Sequence, residues 1–365
     1  MHTPSDIVSI ALSYELAGGG GPHLRNPFFE AIGAIRVEGS IAAAARSLGY
    51  SYRHLWGYLK EQETRLGRAL LVWEKGKPAR LTEFAEKLLW AETRIRARLA
   101  PQIENLATEI GRELTVAFND RVPIVTCCAS HDLALPRLKQ ICETDCGLLV
   151  DLRFEGSLVA LAALRAGRYD FAGIHLPLSR PKLATRGSSL HRAFGPLLRP
   201  GREKLIRVSR RTQGLFVARG NPLRIRGVED LQRVRFVNRP AGTGTRALLE
   251  ELLAGAGVSP DSIAGYDREE ETHLAVAATV ASGAADAGVG IQAAAAAHGA
   301  DFVPLVVEDY FLVCEKATLE TPQAGLLIDA LSSPAWRSAL AQLPGYDARG
   351  SGEITSLRRT LPWYA

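Results

Sequence analysis

The stretch GSIAAAARSLGYSYRHLW, residues 39–56, decides the fold of the N-terminal part of this chain. Gly39 ends a preceding helical segment, and Ser40 is placed to cap the next helix by accepting a hydrogen bond from an unpaired backbone amide. Residues 41–48 then predict a short helix, whose run of alanines allows a neighbouring helix to pack at close range. Gly49 ends that helix. The pattern therefore predicts helices that meet at sharp turns.

A further helix is expected on each side of these residues. Residues 27–38 carry apolar side chains at roughly helical spacing, which predicts a first helix with one buried face. The last helix opens at Ser51, and its inner face holds Leu55 and Leu59. Its first turn carries polar side chains of the kind that a recognition helix presents to base edges and phosphates: Ser51, Tyr52, Arg53 and His54. With Ser40, they are the candidate DNA contacts of the helices.

A wing is predicted next. A strand over residues 70–73 and its return at residues 80–81 enclose a basic tip at residues 74–78. The side chains expected to face the adjacent backbone phosphates are Lys75, Lys77 and Arg80. The N-terminal part is therefore predicted to be a winged helix-turn-helix. An ordinary three-helix bundle with solvated charges is the alternative.

The basic charge of the chain is local. Residues 24–100 hold 14 Lys and Arg against 8 Asp and Glu, a net charge of +6, whereas all 365 residues have a formal net charge of +5. The rest of the chain is therefore close to −1. A basic charge confined to one module is the electrostatic footprint of a DNA-binding domain.

A long amphipathic segment follows the wing. Its apolar side chains recur mostly at intervals of three, four or seven residues: Phe84, Leu88, Ile95, Leu99, Ile103, Leu106 and Ile110. Such a stripe can pair two subunits, or it can pack on its own winged domain. Pro101 lacks a backbone amide and is expected to kink or restart this helix. We therefore expect a homodimer.

Length and composition indicate two or three globular domains. The 47% hydrophobic fraction of the 365 residues suits well-formed cores, and no stretch is long and apolar enough to span a membrane. Five cysteines lack zinc-finger spacing, and their odd number without a signal sequence argues against a disulfide framework. Residues 10–16 alternate as in a strand, which is not the pattern of a signal peptide. A cytoplasmic chain with reduced cysteines is expected.

The second half of the chain changes from helices to alternating strands and helices. The boundary is expected at residues 111–113, and residues 114–118 are predicted to form the first strand. The remaining predicted elements are strands at residues 148–154, 170–175, 214–218 and 234–238 and helices at residues 133–141, 158–166 and 247–255. This series predicts a mainly parallel sheet, whose ligands collect at the carboxyl ends of strands and the amino ends of helices.

The run Gly242-Thr243-Gly244-Thr245-Arg246 is a candidate anion site. Glycines let a ligand approach the backbone, threonines supply hydroxyl donors, and exposed amides at a helix start favour an anion. Arg239 and Arg246 add fixed positive charge. The run lacks the lysine of a Walker loop, and a plain strand-to-helix connection is the alternative.

Other polar residues stand near predicted helix starts. Capping and ligand binding are both open for Ser130, Ser157, Thr245 and Thr272. An anion-binding role when protonated and a structural role are both open for the histidines, with the ligand role favoured for His175 over His131 and His273. The complete set of candidate effector contacts is Ser130, Ser157, His175, Asn238, Arg239, Thr243, Gly244, Thr245, Arg246 and Thr272.

Catalytic and metal sites are not indicated. Three adjacent residues, Ser130, His131 and Asp132, cannot converge as nucleophile, base and orienting group, and no Gly-x-Ser-x-Gly motif is present. Cys127 and Cys128 with His131 lack a recognised metal-ligand spacing. The chain is therefore expected not to be an enzyme, and to take a small anionic effector rather than a cofactor.

Two resemblances to known families rest on these residues. Residues 39–56 resemble the helix-turn-helix of the ModE family of molybdate-responsive regulators and, more loosely, that of LysR-type regulators. Ser51-Tyr52-Arg53 followed by Trp56 favours the former. Residues 114–350 resemble the bilobed, type II periplasmic-binding-protein-like domain of molybdate and molybdopterin-related proteins. The second resemblance is carried by Glu155-Gly156-Ser157, Gly220-Asn221-Pro222, Asn238-Arg239, Thr272-His273 and residues 285–290.

The resemblances imply an α/β multidomain architecture. A winged helix-turn-helix in residues 1–82 would precede a linker and dimerisation helix in residues 83–111 and a bilobed effector domain in residues 112–365. The first lobe would comprise residues 112–207 and 303–365 and the second residues 208–302, with crossing strands near residues 205–208 and 302–305.

The function that these features predict is transcriptional regulation. A dimer, or a tetramer, would present winged helices to double-stranded DNA, while the interlobe cleft senses a small anionic effector. The resemblance implies a molybdenum-related oxyanion or a pterin, and a small carboxylate such as formate is a close rival. The alternatives are a constitutive DNA-binding protein with a vestigial cleft and an enzyme acting on a pterin-like substrate.

Overall fold

The computed structural model describes residues 15–16, 24–73, 78–119, 121–179 and 184–364, with the backbone alone at residues 15, 16, 24 and 25. The chain divides into two units. One lies within residues 11–96, and the other begins at residue 97. We call them the N-terminal unit and the C-terminal unit.

The N-terminal unit is a helix-turn-helix with a small hairpin. Its elements are β1 (Glu15–Leu16), β2 (Leu24–Arg25), α1 (Asn26–Glu38), α2 (Ile41–Ser47), α3 (Tyr52–Leu66), β3 (Leu71–Val72), β4 (Arg80–Leu81) and the first part of α4 (Glu83–Phe118). The three helices are confirmed, and β3 pairs antiparallel with β4 as predicted for the wing. The wing-tip residues Lys75 and Lys77, and most of the strand predicted at residues 10–16, lie outside the described residues.

Local capping sets the boundaries of these helices. The Ser40 hydroxyl accepts a hydrogen bond from the Ala43 amide at 3.2 Å, and the Ser51 hydroxyl accepts one from the His54 amide at 3.2 Å. Gly49 adopts φ +72°, a left-handed conformation that favours glycine at the turn between α2 and α3. The core behind them is apolar and includes Phe28, Ile32, Leu55, Leu59 and Leu89.

Helix α4 corrects two predictions from the sequence. Residues 114–118, predicted to be a strand, are the end of this helix. Their alternating apolar side chains cover no sheet, since Phe118 is 74% exposed, and residues 124–129 form the strand that joins the sheet instead. The helix also does not restart at Pro101. The missing Pro101 amide leaves the Ala97 carbonyl without its helical donor, and the Thr272 hydroxyl donates to that carbonyl at 2.9 Å.

The C-terminal unit is built on one sheet. Its strands are β5 (Ile124–Ala129), β6 (Leu149–Phe154), β7 (Phe171–Leu176), β8 (Glu203–Val217), β9 (Phe236–Val237), β10 (Ala287–Ile291), β11 (Asp301–Glu315), β12 (Tyr346–Asp347) and β13 (Ile354–Ser356). Its helices after α4 are α5 (Leu135–Asp145), α6 (Ser157–Arg165), α7 (Ser189–Phe194), α8 (Gly244–Ala256), α9 (His273–Ala281), α10 (Gln292–His298), α11 (Pro322–Ser332), α12 (Pro334–Ala341) and α13 (Leu357–Thr360).

Two long strands connect two lobes of this unit. The strand order is β6-β5-β7-β11-β8-β10-β9, and the 15-residue strands β8 and β11 pair antiparallel, with Glu203 opposite Glu315 and Val217 opposite Asp301. β7 pairs with β11 toward one end of this ribbon, and β10 pairs with β8 at the other. The first lobe therefore holds β5, β6 and β7, and the second holds β9 and β10. The sheet is mixed rather than mainly parallel, because both ribbon strands run against their neighbours.

Helices cover both faces of the sheet in each lobe. In the first lobe α5, α11 and α12 bury Leu138, Leu327 and Trp336 on one face, while α6, α7 and α13 pack on the other. In the second lobe α8 packs on one face through Leu249, and α9 and α10 pack on the other. This layering turns the connections at the strand ends toward the space between the lobes.

Candidate functional sites

The first turn of α3 presents polar side chains to solvent. Tyr52 is 50% exposed, and Ser51, Arg53 and His54 are exposed as well, whereas Leu55 is buried in the core. Arg53 forms no ion pair with any residue that the structure describes. A free cation beside exposed hydrogen-bonding groups can contact phosphates and base edges.

Two aromatic residues extend this surface beyond the predicted contacts. Tyr50 is 44% exposed, with its ring centroid 5.0 Å from that of His54, and Trp56 is 40% exposed. Arg80 is exposed on β4, as a wing contact requires. Ser40 is half-buried, and its hydroxyl caps α2. The sequence already places Tyr50 and Trp56 beside Arg53, although neither aromatic residue was predicted to contact DNA.

A cavity of about 510 Å³ lies between the lobes of the C-terminal unit. Its lining follows β5 and β6 and precedes α6, α8 and α9, which is the position expected for a ligand in such a sheet. The predicted contacts that line it are Ser130, Arg239 and Thr243. The sequence did not indicate that α4 also lines it, through Pro101, Gln102 and Asn105.

Arg239 is a buried cation without a charged partner in contact. Only 4% of the residue is exposed, and its Nη1 donates to the Glu270 carbonyl at 3.0 Å. Its Nε has no hydrogen-bond partner among the residues that the structure describes. Burial lowers the pKa of Arg239 to about 10, so the side chain is still charged at neutral pH. A buried, incompletely paired guanidinium that lines a cavity favours an anionic occupant.

The start of α8 adds amide donors beside this cation. The Thr243 hydroxyl accepts from the Arg246 amide at 3.3 Å and donates to the Pro240 carbonyl at 2.8 Å, so Thr243 and not Thr245 caps the helix. The amides of Gly244 and Thr245 belong to the first turn, where backbone donors have no partner within the helix. The partial positive charge at this helix start therefore lies close to the lining residue Thr243.

A buried ion-pair network lies where the ribbon crosses between the lobes. Arg211 on β8 donates from Nε to Glu308 at 2.5 Å and from Nη1 to Asp132 at 2.5 Å. All three residues are at most 2% exposed. Burial raises the pKa of Asp132, but the nearby His175 imidazole, 3.8 Å away, and the Arg211 charge outweigh it, and the pKa lies well below its usual range. Asp132 is thus an anion held by Arg211, with a further hydrogen bond from the Tyr346 hydroxyl at 2.7 Å.

Gln213 continues this network toward the second lobe. Its Nε2 donates to Glu308 at 2.8 Å and to the Thr245 hydroxyl at 3.1 Å. The Gln213 Oε1 has no partner among the residues that the structure describes. The polar residues on β8 were missed as site residues, although charged and amide side chains in a strand of an apolar sheet were a usable sequence signal.

Two of the histidines near the cleft, His175 and His273, are buried. The His175 ring stacks on Tyr310 at a centroid distance of 3.9 Å, and its Nδ1 lies 3.5 Å from the Ser130 hydroxyl. Burial lowers the pKa of His175, and burial lowers that of His273 further. Burial therefore disfavours, at these two positions, the positive charge that an anion-binding histidine would need.

Three other predicted contacts, Asn238, Arg246 and Thr272, are engaged by protein groups. The Asn238 Nδ2 donates to the Tyr266 carbonyl at 3.1 Å, and its Oδ1 accepts from the Arg239 amide at 2.9 Å. The Arg246 guanidinium lies over the Tyr266 ring at 4.0 Å. Thr272 caps α9, and Ser157 is the buried first residue of α6, which it does not cap through its side chain. Ser130 lies four residues before the α5 cap residue and so caps no helix.

Metal coordination and membrane insertion find no support among the described residues. No group of three or more His, Cys, Asp or Glu side chains there is arranged to hold a metal ion. None of the helices that the structure describes is both long and apolar enough to cross a bilayer. The five cysteines are free thiols.

Comparison with known proteins gives two family matches. Residues 139–332 match the model described as PBP superfamily domain, and residues 29–86 match the model described as bacterial regulatory helix-turn-helix protein, lysR family. The predicted combination of a regulatory helix-turn-helix with a PBP-like domain is confirmed. The prediction that the chain is not an enzyme is confirmed with it, since the lysR-family match is to DNA-binding regulators. The helix-turn-helix match is to the lysR family, so the preference for the ModE family and a molybdate-type domain stays a prediction.

The similar proteins are distant or cover part of the chain. The uncharacterized protein YvgK of Bacillus subtilis (strain 168) is 35% identical over 204 residues, so the chain spans 64% of that relative and the match covers 55% of the chain. An uncharacterized protein from the 5′ region of a ferredoxin 2Fe-2S gene of Clostridium pasteurianum is 39% identical over 110 residues, 97% of its length and 30% of this chain. An OxyR mutant of Corynebacterium glutamicum has a TM-score of 0.43 at 17% identity, covering 86% of this chain and 93% of that one.

Proposed function

We propose a regulatory function for this chain, which belongs to the PBP superfamily through residues 139–332 and carries a lysR-family helix-turn-helix at residues 29–86. The N-terminal unit binds double-stranded DNA, and the cleft of the C-terminal unit binds a small anionic effector that changes DNA affinity. Such coupling requires that the effector bind two arrangements of the protein with unequal affinity.

The DNA-binding part of the proposal is supported by the exposed first turn of α3. Tyr52, Arg53 and His54 are held there by a capped helix whose opposite face is buried, so the polar groups are presented on a rigid element. The net charge of +6 within residues 24–100 supplies long-range attraction to phosphates.

The effector part is carried by one observation, the buried Arg239 whose Nε is unpaired beside the interlobe cavity. A guanidinium beside a helix start binds carboxylate, phosphate or another oxyanion through charge-assisted hydrogen bonds. Ser130 supplies a hydroxyl group to the same cavity.

The size of the cavity favours an organic anion among the effector classes. Pockets for drug-sized ligands hold about 300–1,000 Å³, and this cavity has about 510 Å³. Its lining includes the apolar side chains of Phe154, Leu158 and Pro240, which suit a ring or carbon skeleton. We therefore rank a pterin-like anion above molybdate or formate, which would leave most of this space to water.

Helix α4 supports a homodimer, or a tetramer built from such dimers. Its apolar side chains are left partly in solvent, with exposed fractions of 38% for Ile95, 40% for Leu99, 56% for Leu106 and 44% for Ile110. Their spacing of four, seven and four residues is that of a coiled-coil seam. A DNA-binding dimer would work in the cytoplasm.

Selection of duplexes from a random DNA library by the full chain tests this function. The affinity for the enriched duplex would then be titrated with molybdate, formate, phosphate and pterin-6-carboxylate, with thermal shift as an independent measure of binding. We expect an enriched sequence and an affinity change with an anion, strongest for the pterin. DNA binding that no anion affects would indicate a constitutive protein, and chemical turnover of the pterin would indicate an enzyme.

Arg239→Met provides the matching variant. It should abolish the anion-dependent change in DNA affinity and the thermal shift, because the cavity loses its cation. The control is Arg233→Met, since Arg233 is exposed and paired with Asp230 at 3.0 Å in the same lobe. An anion response that survives Arg239→Met would move the effector site elsewhere.

A further inference from the structure

Helix α4 contacts the first lobe of the C-terminal unit. The Asn105 side chain binds the Phe154 backbone on β6 in both directions, donating to the carbonyl at 3.1 Å and accepting from the amide at 2.7 Å. Arg112 donates to Asp151 at 2.9 Å. Residues near the middle and end of the helix are therefore fixed to the first lobe.

The same helix contacts the second lobe a few residues earlier. Arg98 binds Glu270 through Nε and Nη2, each at 2.6 Å, and Glu270 is 2% exposed. The hydrogen bond with Glu270 raises the pKa of Arg98, so the guanidinium stays charged. The Thr272 hydroxyl donates to the Ala97 carbonyl that Pro101 leaves without a helical partner. The proline thus gives the second lobe a binding point on the helix.

Between these two sets of contacts, α4 faces the cavity. Three residues of this helix line it: Pro101, Gln102 and Asn105. Glu270 connects this helix to the buried cation, because its carboxylate holds Arg98 while its carbonyl accepts from Arg239 at 3.0 Å. Arg98, which is exposed, and Arg239, which is buried, therefore both bind Glu270.

We propose that α4 forms a third wall of the effector site, and that Glu270 transmits the state of Arg239 to this helix through Arg98. The proposal rests on the proposed effector function, since it names the route by which that site acts. An anion bound to Arg239 competes with the Glu270 carbonyl for the guanidinium and thereby changes how firmly Arg98 holds the helix. The same α4 supplies Ala85 and Leu89 to the core of the N-terminal unit.

The wall is tested by placing a thiol on it. Gln102→Cys is made in a Cys146→Ser background, since the other four thiols are buried and burial raises the pKa of each. Its labelling rates with sulfonatoethyl and trimethylammonioethyl methanethiosulfonate, one anionic and one cationic, are compared at low ionic strength. Val116→Cys is the control, on the same helix but outside the cavity and outside the apolar stripe.

The effect of Arg239 variants on the labelling ratio at position 102 tests whether α4 forms a wall of the effector site. Removal of the charge by Arg239→Met should lower the anionic-to-cationic rate ratio at position 102 by about threefold or more, because nearby charges in a partly enclosed site are weakly screened. Arg239→Lys should keep the ratio. The ratio at position 116 should stay unchanged. An equal change of the rate ratio at both positions, or no change at position 102, would show that α4 is not a wall of the effector site.

The coupling from Arg239 through Glu270 to Arg98 is tested by comparing two adducts of different charge at position 102. Amide hydrogen exchange over residues 97–112 is compared between the sulfonate adduct and a neutral methyl adduct at Gln102→Cys. We expect exchange to differ at least twofold between the two adducts, and this charge-specific difference to vanish with Arg98→Met. It should persist with Arg96→Met, because Arg96 forms its ion pair with Glu92 on its own helix.

If Arg98 has a purely structural role, Arg98→Met will change hydrogen exchange equally in both adducts and leave the difference between them intact. That result would overturn the coupling. Absence of any difference between the adducts would overturn it as well. Both measurements use the full chain and need neither DNA nor the natural effector. A protein that passes them without binding DNA would therefore disprove the regulatory function alone.

Discussion

The start of α3 and the interlobe network place charged and polar groups in opposite physical settings. Around α3 the groups are exposed, and the cap joins Ser51 to His54 three residues away. In the network Arg211 is buried, with partners 79 and 97 residues away in the sequence. Solvent screens the first set and leaves it free for a partner, whereas the second set is committed to the fold. Similar residue types thus serve recognition in one region and architecture in the other.

Breaking the buried network should give the largest effect on stability. Arg211→Met leaves Asp132 and Glu308 buried without their cation, and we expect the free energy of unfolding to fall by about 3–5 kcal/mol. Urea unfolding of the full chain measures the change. The control is Arg235→Met, because Arg235 is exposed and its pair with Asp286 should contribute about 1 kcal/mol or less. Equal losses in both variants would contradict the contrast between buried and exposed charges.

Removing a charge from the exposed surface should leave stability alone and weaken DNA binding. Arg53→Ala removes a cation from the first turn of α3, and loss of one such contact costs about 1–3 kcal/mol, or roughly 5- to 150-fold in affinity. Titration of the selected duplex measures it. Arg65→Ala on the same helix is the control, since Arg65 pairs with Glu61 at 2.6 Å. An unchanged affinity for Arg53→Ala would remove this turn from recognition.

Acid should lower the free energy of unfolding through the buried histidines. Burial lowers the pKa of His175 and His273 below the ordinary value of 6.5, so the unfolded chain binds their protons first as pH falls. Stability is therefore complete above pH 6.5 and declines below it, by about 1.4 kcal/mol per pH unit for each histidine. Asp132, with its lowered pKa, stays ionised in this window.

Unfolding in urea at pH 7 and pH 5 checks the sign and the source. The double variant His175→Gln, His273→Gln should lose less stability than the parent chain between these two values. A parent chain that is as stable at pH 5 as at pH 7 would show that these imidazoles are not desolvated.

The smallest effect is expected from a helix cap. Ser40→Ala removes the acceptor for the Ala43 amide and should cost about 1 kcal/mol. Hydrogen exchange over residues 41–47 in the full chain measures the loss. Ser47→Ala is the control, because the Ser47 hydroxyl donates to the Ala44 carbonyl, which already has a helical partner. If both variants exchange alike, the turn is held by packing rather than by the cap.

The helix-turn-helix was predictable almost to the residue. Ser40 and Ser51 satisfy donors within three residues, and Gly49 takes a positive φ that other residues avoid. Prediction failed at residues 114–118, where alternating apolar side chains suggested a strand. Alternation indicates a strand only if a sheet covers one face, and the chain continues as α4 there, with Phe118 largely in solvent.

The ligand cleft was predictable in part. The glycine- and threonine-rich turn does start α8, and Arg239 lies beside the cavity with its Nε unpaired among the described residues. The same pattern did not separate Arg239 from Arg246, which lies over Tyr266 and is engaged. Nor did it place Gln102 of the linker helix in the cavity wall.

By itself, the sequence determined the caps, the turns, the local basic charge and the two-domain plan, because these depend on residues a few positions apart. The tertiary structure alone decided which charges are free. Among the residues that the structure describes, Arg53 has no ion pair and the Arg239 Nε has no partner, whereas Arg211 is neutralised by carboxylates from distant segments. The energy of a charge depends on its burial and on the groups around it, and both are set only when remote parts of the chain pack together.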